Sequence, residues 1–345
     1  GILIRAPRIF YVILDKGKGK LVKLGEIAEV RRGFTTGANE FFYLEPIKNP
    51  IEWPVCPVCE RVHEPEEGLV AVKNKAGWDG YIEEEFLRPV IISPREIKTP
   101  IINERSLKNV AFICTESISS LRTNGKIHAI NYIEWGEKQG YPNRTTLRNR
   151  RPWYGLTPHE TPDVLWPMIH NDRLIVGLLE SDRIVVDHNL FEITGNEKGS
   201  KVYLFVSLFA TYQALVRELI GRSNLGEGAL KTEGIDIQKL IVFKPEALSE
   251  FEESLHQLFE KLSTYEIKSI FEELGLPKPN KDFSNIKPEE VSLDRVLPDR
   301  RELDRVIFEA LGLTEEEQLE VYRAVVELVK ARLVKARTFS KKGKR

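Results

Sequence analysis

Methionine occurs once in these 345 residues, at Met168, and cysteine three times. Three cysteines cannot close a disulfide framework, so we expect a reducing, cytoplasmic setting. No apolar run reaches the length a bilayer helix needs, and no membrane is expected as a partner. The opening Gly1-Ile-Leu-Ile-Arg-Ala-Pro7 turns to charge too soon for a secretory signal. Net charge is nearly absent too, at −1. That excludes a non-specific polycation but leaves room for locally basic loops. Adjacent prolines occur nowhere, and neither a Walker loop nor a Gly-x-Ser-x-Gly elbow is present. The first residue is Gly rather than Met, and we expect a chain excised from a longer protein.

What is there reads as folded protein. Hydrophobic residues make up 41% and charged ones 30%, which excludes wholesale disorder. At about 150 residues per domain, the length predicts about two domains. Residues 1–20 read as a short helix and a Gly/Lys linker, Lys16 to Lys20. Residues 21–245 read as mixed α and β. Strand-like runs fall at Phe41–Leu44, Leu69–Val72 and Val110–Cys114. Four more, Val164–Met168, Arg173–Leu179, Arg183–Val186 and Leu190–Ile193, are separated by Asn/Asp/Ser turns and predict a β-meander. Val202 to Ile220 has helical spacing, and Ser200 and Gly221 suit its caps, so one long buried helix is expected. After Pro245 the pattern is helical, at Phe251–Leu274 and Arg301–Ala336, around a Pro/Asn/Lys loop from Pro277 to Pro298. Thr314-Glu-Glu-Glu317 has capping-box spacing. The expected class is α+β: a mixed α/β domain, residues 21–245, followed by an all-α region, residues 246–345.

Chemistry is sparse. Gly17-Lys-Gly19 and Gly226-Glu-Gly228 lack the strand, helix and third glycine of a dinucleotide loop, and read as linker and turn. Glu83–Glu85 and Glu315–Glu317 read as helix starts facing water. His188 reads as a turn residue. No catalytic constellation emerges. One metal-like pattern does: Cys56-Pro-Val-Cys59-Glu-Arg-Val-His63 puts two thiolates on a tight turn with an imidazole close by, as zinc requires. Cys114 or His128 could supply a fourth ligand. The alternative is a proline-rich surface turn with two free thiols.

Basic side chains gather in three places. Gln139–His159 contains Arg144, Arg148, Arg150 and Arg151 without an acid, then Trp153 and Tyr154. Arginine forks suit phosphates and guanine edges, and aromatics can stack or wedge. The loop Arg31-Arg32-Gly-Phe-Thr35-Thr36-Gly-Ala-Asn39 offers guanidinium, hydroxyl and amide groups on a glycine-flexed backbone. Arg222-Ser223-Asn224 follows the predicted long helix. A single such cluster would pass for a solvated loop, and Trp153 for a core aromatic anchoring the arginines. Three clusters in one domain make binding of double-stranded DNA competitive.

These residues also carry a family likeness. Leu24-Gly-Glu-Ile-Ala-Glu-Val-Arg-Arg-Gly-Phe-Thr-Thr-Gly-Ala-Asn-Glu-Phe-Phe-Tyr-Leu44 resembles the opening of the target-recognition region of Taq-type, N6-adenine-specific DNA methyltransferases. It is more loosely similar to specificity subunits of type I restriction systems. Gly80–Ile91, Arg148-Asn-Arg-Arg-Pro-Trp-Tyr154, Gly228–Pro245 and Asp299–Leu313 resemble later segments of the same enzymes in the same order. The likeness implies the C-terminal recognition part of such an enzyme, with Arg31, Arg32, Thr35, Thr36, Asn39, Arg148, Arg150, Arg151, Trp153, Tyr154, Arg222, Ser223 and Asn224 as candidate DNA contacts. The family's Asn/Asp-Pro-Pro-Tyr/Phe tetrad, which holds a flipped adenine, and its S-adenosylmethionine loop have no counterpart here. The likeness therefore implies an S-adenosylmethionine-dependent methyltransferase domain preceding this chain, with residues 1–20 as its last helix and linker. The chain itself is then non-catalytic and binds no cofactor beyond the zinc in question. Cys56–His63 looks like an insertion. The rival expectation is a free-standing specificity subunit that recruits separate catalytic chains.

Overall fold

The structure, a computed structural model, describes residues 6–197, 201–222 and 228–342, with side chains as far as 337. In chain order the strands are Leu21–Lys23 (β1), Ala28–Arg32 (β2), Tyr43–Pro46 (β3), Leu69–Asn74 (β4), Asp79–Glu83 (β5), Leu87–Ile91 (β6), Ile101–Ile102 (β7), Asn109–Phe112 (β8), Val164–Pro167 (β9), Ile169–His170 (β10), Gly177–Leu179 (β11), Val185–Val186 (β12), Leu190–Gly195 (β13), Leu230–Lys231 (β14) and Ile241–Phe243 (β15). The helices are Arg8–Lys16 (α1), Leu24–Ile27 (α2), Asn39–Phe42 (α3), Ile118–Thr123 (α4), Ile127–Lys138 (α5), Lys201–Phe209 (α6), Thr211–Ile220 (α7), Gly234–Ile237 (α8), Glu252–Leu262 (α9), Ile270–Glu273 (α10), Pro298–Leu311 (α11) and Glu315–Lys342 (α12). The class is α+β, with helices alone after β15 among the described residues.

Two larger sheets organise these strands. One runs β2-β13-β9-β11-β7 and the other β12-β6-β8-β3-β4-β5. The expected meander is therefore partly interrupted. Within it, β9 pairs antiparallel with both β11 and β13. But β12 leaves for the other sheet, where it lies parallel to β6. A two-residue strand has little pairing of its own, so its long-range neighbour decides where it goes. Phe41 and Phe42, expected in a strand, form the last turn of α3 instead.

Two main apolar cores follow. The smaller joins the six-stranded sheet to α4, α5 and residues 141–156, through side chains such as Phe41, Phe112, Tyr132 and Trp153. The larger is continuous from Ile9 in α1, through Trp166 and Phe205, to Leu333 in α12, and takes side chains from both sides of residue 245. Each fully buried Leu, Ile or Phe contributes about 1.5–3 kcal/mol. The Phe34–Asp187 bridge and the hydrogen bond from Phe34 N–H to Val186 O (2.9 Å) tie the two cores together.

The helix expected over residues 202–220 is two helices, bent by 72° between Phe209 and Thr211. The bend frees two backbone groups, and α11 binds both. Arg300 Nη1 donates to Phe209 O (2.6 Å), while the N–H and hydroxyl of Thr211 donate to the Asp304 carboxylate (2.7 and 2.6 Å). Arg300 also lies over the Phe209 ring and pairs with buried Glu273 at 2.7 Å. Ser200, the expected N-cap, lies outside the described residues. Gly221 has φ −71° and ψ 160°, so it ends α7 in an extended rather than a left-handed conformation.

The α12 start matches its capping box: Thr314 N–H donates to Glu317 Oε2 (2.8 Å) and Glu317 N–H to Thr314 Oγ1 (3.3 Å). Glu83 does not face water as expected. It is buried, and its carboxylate accepts from the His128 and Ala129 N–H groups (3.1 and 2.8 Å), capping α5. Among the described residues no single helix is long and apolar enough to cross a membrane.

Candidate nucleic-acid interface

The first basic loop leaves β2 after Arg32. Gly33 passes so close to the 186–187 backbone that a Cβ would lie 2.4 Å from Asp187 O, so glycine is required there. Gly37 has φ +81°, and its carbonyl accepts the Thr146 hydroxyl (2.7 Å). The second loop, residues 139–155, folds against the first. Arg144 pairs with Glu40 at 2.5 Å, and Arg150 Nη2 donates to Thr35 O (3.1 Å). Burial alone would raise Glu40, but its own backbone N–H and Arg144 hold it below its ordinary value. Two clusters more than a hundred residues apart thus form one surface.

Phe34 and Thr35 from the first loop, Arg150 and Arg151 from the second, and His159 just beyond it line a cleft of about 510 Å³. Arg32, Thr35, Asn39, Arg148 and Arg151 are exposed, while Arg31 and Arg150 are half-buried. Arg151 Nη1 folds back onto the carbonyls of Arg148 and Arg150 (2.8 and 2.7 Å), and Arg32 Nε donates to His188 O (2.8 Å). These bonds fix the stems and leave other guanidinium nitrogens to offer. Arg150 is the exception: its Nη1 is itself buried and has no hydrogen-bond partner among the described residues. Burial lowers the Arg150 pKa.

Other candidates stand elsewhere. Trp153 is 9% and Tyr154 2% exposed, so neither presents a face to stack on a base. Trp153 packs on Phe41 and donates to Glu137 Oε1 (3.3 Å), and Tyr154 donates to Glu116 O (2.7 Å). They anchor the arginine loop from beneath. Thr36 is fully buried and bonds the Asn39 amide oxygen, which shapes the loop rather than contacting a ligand. Arg222 is not brought to the cleft; its backbone pairs with Lys231 and its guanidinium meets Asp236 at 3.4 Å. Ser223 and Asn224 lie outside the described residues, as does most of the Gly226–Gly228 triplet.

Sequence pattern alone did not single out His159, which lines the cleft. Its Nδ1 is 2.7 Å from Glu192 Oε2. Glu192 is buried on β13, opposite Arg31 of β2. Burial raises the Glu192 pKa, partly offset by the hydrogen bond to His159 and the nearby Arg31. A second cleft, about 500 Å³, is lined by Arg95, Asn171, Asp172 and Asn189 among others. No periodicity marks these residues; they meet because β10, β13 and the 93–96 turn converge.

The Cys56–His63 segment forms a hairpin closed by the Val55–Val62 bridge. The candidate ligand atoms of Cys56, Cys59 and His63 all lie within 4.8 Å of one another. Burial would raise the Cys56 thiol, but backbone N–H groups of Cys59 and Val58 and the His63 side chain bring it down to about 7. Of the two residues considered for a fourth ligand, Cys114 is buried in the smaller core, and neither Cys114 nor His128 belongs to this group.

The chain is similar to known proteins in two ways. The family described as "Type II methyltransferase M.Eco57I, C-terminal domain" matches residues 99–275. The solved structure of the type IIG restriction endonuclease BpuSI shares the fold with a TM-score of 0.55 at 15% identity, over 95% of this chain and 33% of that one. This chain therefore spans about a third of the length of that protein. No curated protein matches it.

Proposed function

With just over half its length matched, the chain belongs to the family of type II methyltransferase M.Eco57I C-terminal domains, and on that premise we propose that it recognises double-stranded DNA for a restriction–modification enzyme. The observation that carries this reading is the convergence of residues 31–39 and 144–151 on one cleft walled by Thr35, Arg150 and Arg151. Arg32, Arg148 and Arg151 contact phosphates and set the register; Asn39, Thr35 and Arg150 are the candidates for base edges. In this reading residues 21–245 carry recognition, while residues 1–20 and 246–345 brace it.

The parent enzyme, in the same proposal, methylates adenine at N6 with S-adenosylmethionine in a prokaryotic cytoplasm. The absence of a Pro-Pro tetrad from this chain supports assigning catalysis and cofactor binding to another part of the parent. Mass spectrometry of DNA from cells expressing the parent should show N6-methyladenine; N4-methylcytosine alone would sink the base assignment. The recognition reading is tested by anisotropy with labelled duplexes across a salt series. Affinity should fall steeply with salt, and Arg148→Ala with Arg151→Ala should weaken binding and flatten that dependence.

A further inference from the structure

We propose that Cys56, Cys59 and His63 bind a zinc ion that holds the 55–62 hairpin in shape. The donor set is two thiols and an imidazole, which suits zinc and not magnesium or calcium. With zinc–sulfur bonds of about 2.3 Å, the edge of the tetrahedron is about 3.8 Å. The sulfur–nitrogen edges are shorter, about 3.5 Å, so the three ligand atoms, all within 4.8 Å of one another, need to close by little more than about an ångström at most. The backbone is already shaped for this. Cys56 N–H donates to Arg61 O and Glu60 N–H to Cys56 O, both at 2.9 Å, and Glu60 takes a left-handed φ of 57° to turn the chain between them. The Val58 N–H points at Cys56 Sγ (3.4 Å), a donor that stabilises a thiolate. His63 is equally prepared. Its ring stacks flat on Tyr81 at 5.2 Å, and its Nδ1 meets Glu64 O at 2.6 Å. That bond makes Nδ1 the donor and leaves Nε2 as the ligating nitrogen.

A second observation concerns packing rather than ligand geometry. The core beneath this segment consists of Ile47, Cys56, Ala71 and Tyr81, with Trp53 against it. Meanwhile Ile51, Val55, Val58 and Val62 are 92%, 60%, 56% and 55% exposed. So small a core does not repay the entropy of ordering the loop, and a metal does in its place. Among the described residues no fourth Cys, His, Asp or Glu joins the three; water or a small anion completes the coordination.

The test is metal analysis of the whole chain, purified without chelator from zinc-supplemented cells. We expect about one zinc per chain in the wild type and under a tenth of that in Cys56→Ser with Cys59→Ser. Cobalt(II) should replace it and show thiolate charge-transfer absorption, which His63→Gln alters without unfolding the chain. Removing the metal with a chelator should open residues 47–68 to protease. Substoichiometric zinc with no cobalt–thiolate absorption in the wild type would overturn the proposal, as would a Cys56–Cys59 disulfide in the freshly purified chain. None of these readouts depends on DNA binding, so this site and the recognition surface stand or fall separately.

Discussion

Arg150 and Trp153 sit three residues apart in one basic loop, and the fold uses them differently. The arginine reaches across to Thr35 O and lines the cleft, whereas the indole is locked among Phe41, Tyr141 and Glu137. Trp153→Phe should lower the denaturation midpoint and leave duplex affinity unchanged; lost affinity with unchanged stability would make the indole a contact residue. The arginines were legible because an acid-free run on a turn has nowhere local to bury. The burial of Trp153 was not legible, because it depends on Phe41 and on Gly136 of α5, where a Cβ would lie 2.7 Å from the indole. His170 offers a different test. Burial, with Arg217 and Arg332 close by, drives its pKa well below the ordinary value, and its Nε2 meets Thr232 Oγ1 at 3.0 Å. The unfolded chain, with an ordinary imidazole near 6.5, takes up a proton that the fold refuses. Stability is thus full above about pH 6.5 and falls as pH drops below it, by up to about 1.4 kcal/mol per pH unit from this residue. The difference between wild type and His170→Gln in urea titrations should show that slope; parallel curves would contradict it.

At the scale of elements, helical periodicity found α6 and α7 but not the bend between them. Nothing in residues 202–220 is a proline or glycine, so the break has no local signature. It is imposed by Arg300 and Asp304, one turn apart on α11, which bind the carbonyl and amide that the bend exposes. These two belong to the Asp299–Leu313 segment that carried part of the family likeness, so its conspicuous charges have a structural use. Arg300→Ala should cost about 3–5 kcal/mol, since it strands the buried Glu273 carboxylate and the Phe209 carbonyl together. A loss under about 1 kcal/mol would mean that the bend holds without its clamp. By contrast, the α12 capping box was fully legible, because both of its partners lie within four residues.

Across the whole molecule, the two ends of the chain close on each other. Lys16 of α1 pairs with Glu317 (2.5 Å) and donates to Gly312 O (2.8 Å), and Lys20 donates to Ala310 O (2.6 Å). Arg332 of α12 grips Glu218 of α7 with two nitrogens, at 2.7 and 3.0 Å. The helical region therefore supports the sheet that carries β2, and β2 ends at the first arginine loop. Which sheet β12 would join could not be read from Val185 and Val186 alone, because parallel pairing with β6 is a choice made at long range. The near-zero net charge now has a spatial sense: ion pairs such as Arg144–Glu40 balance much of the surface, while Arg151 lines the cleft and Arg32 and Arg148 stay exposed on the two segments whose loops meet there. The most direct test of that arrangement is the salt dependence of duplex affinity for the wild type and for Arg148→Ala with Arg151→Ala. If both arginines meet phosphates, the slope of log affinity against log salt should be shallower in the variant by about 1.8, at about 0.9 per contact. Equal slopes and equal affinities would contradict the recognition surface described here.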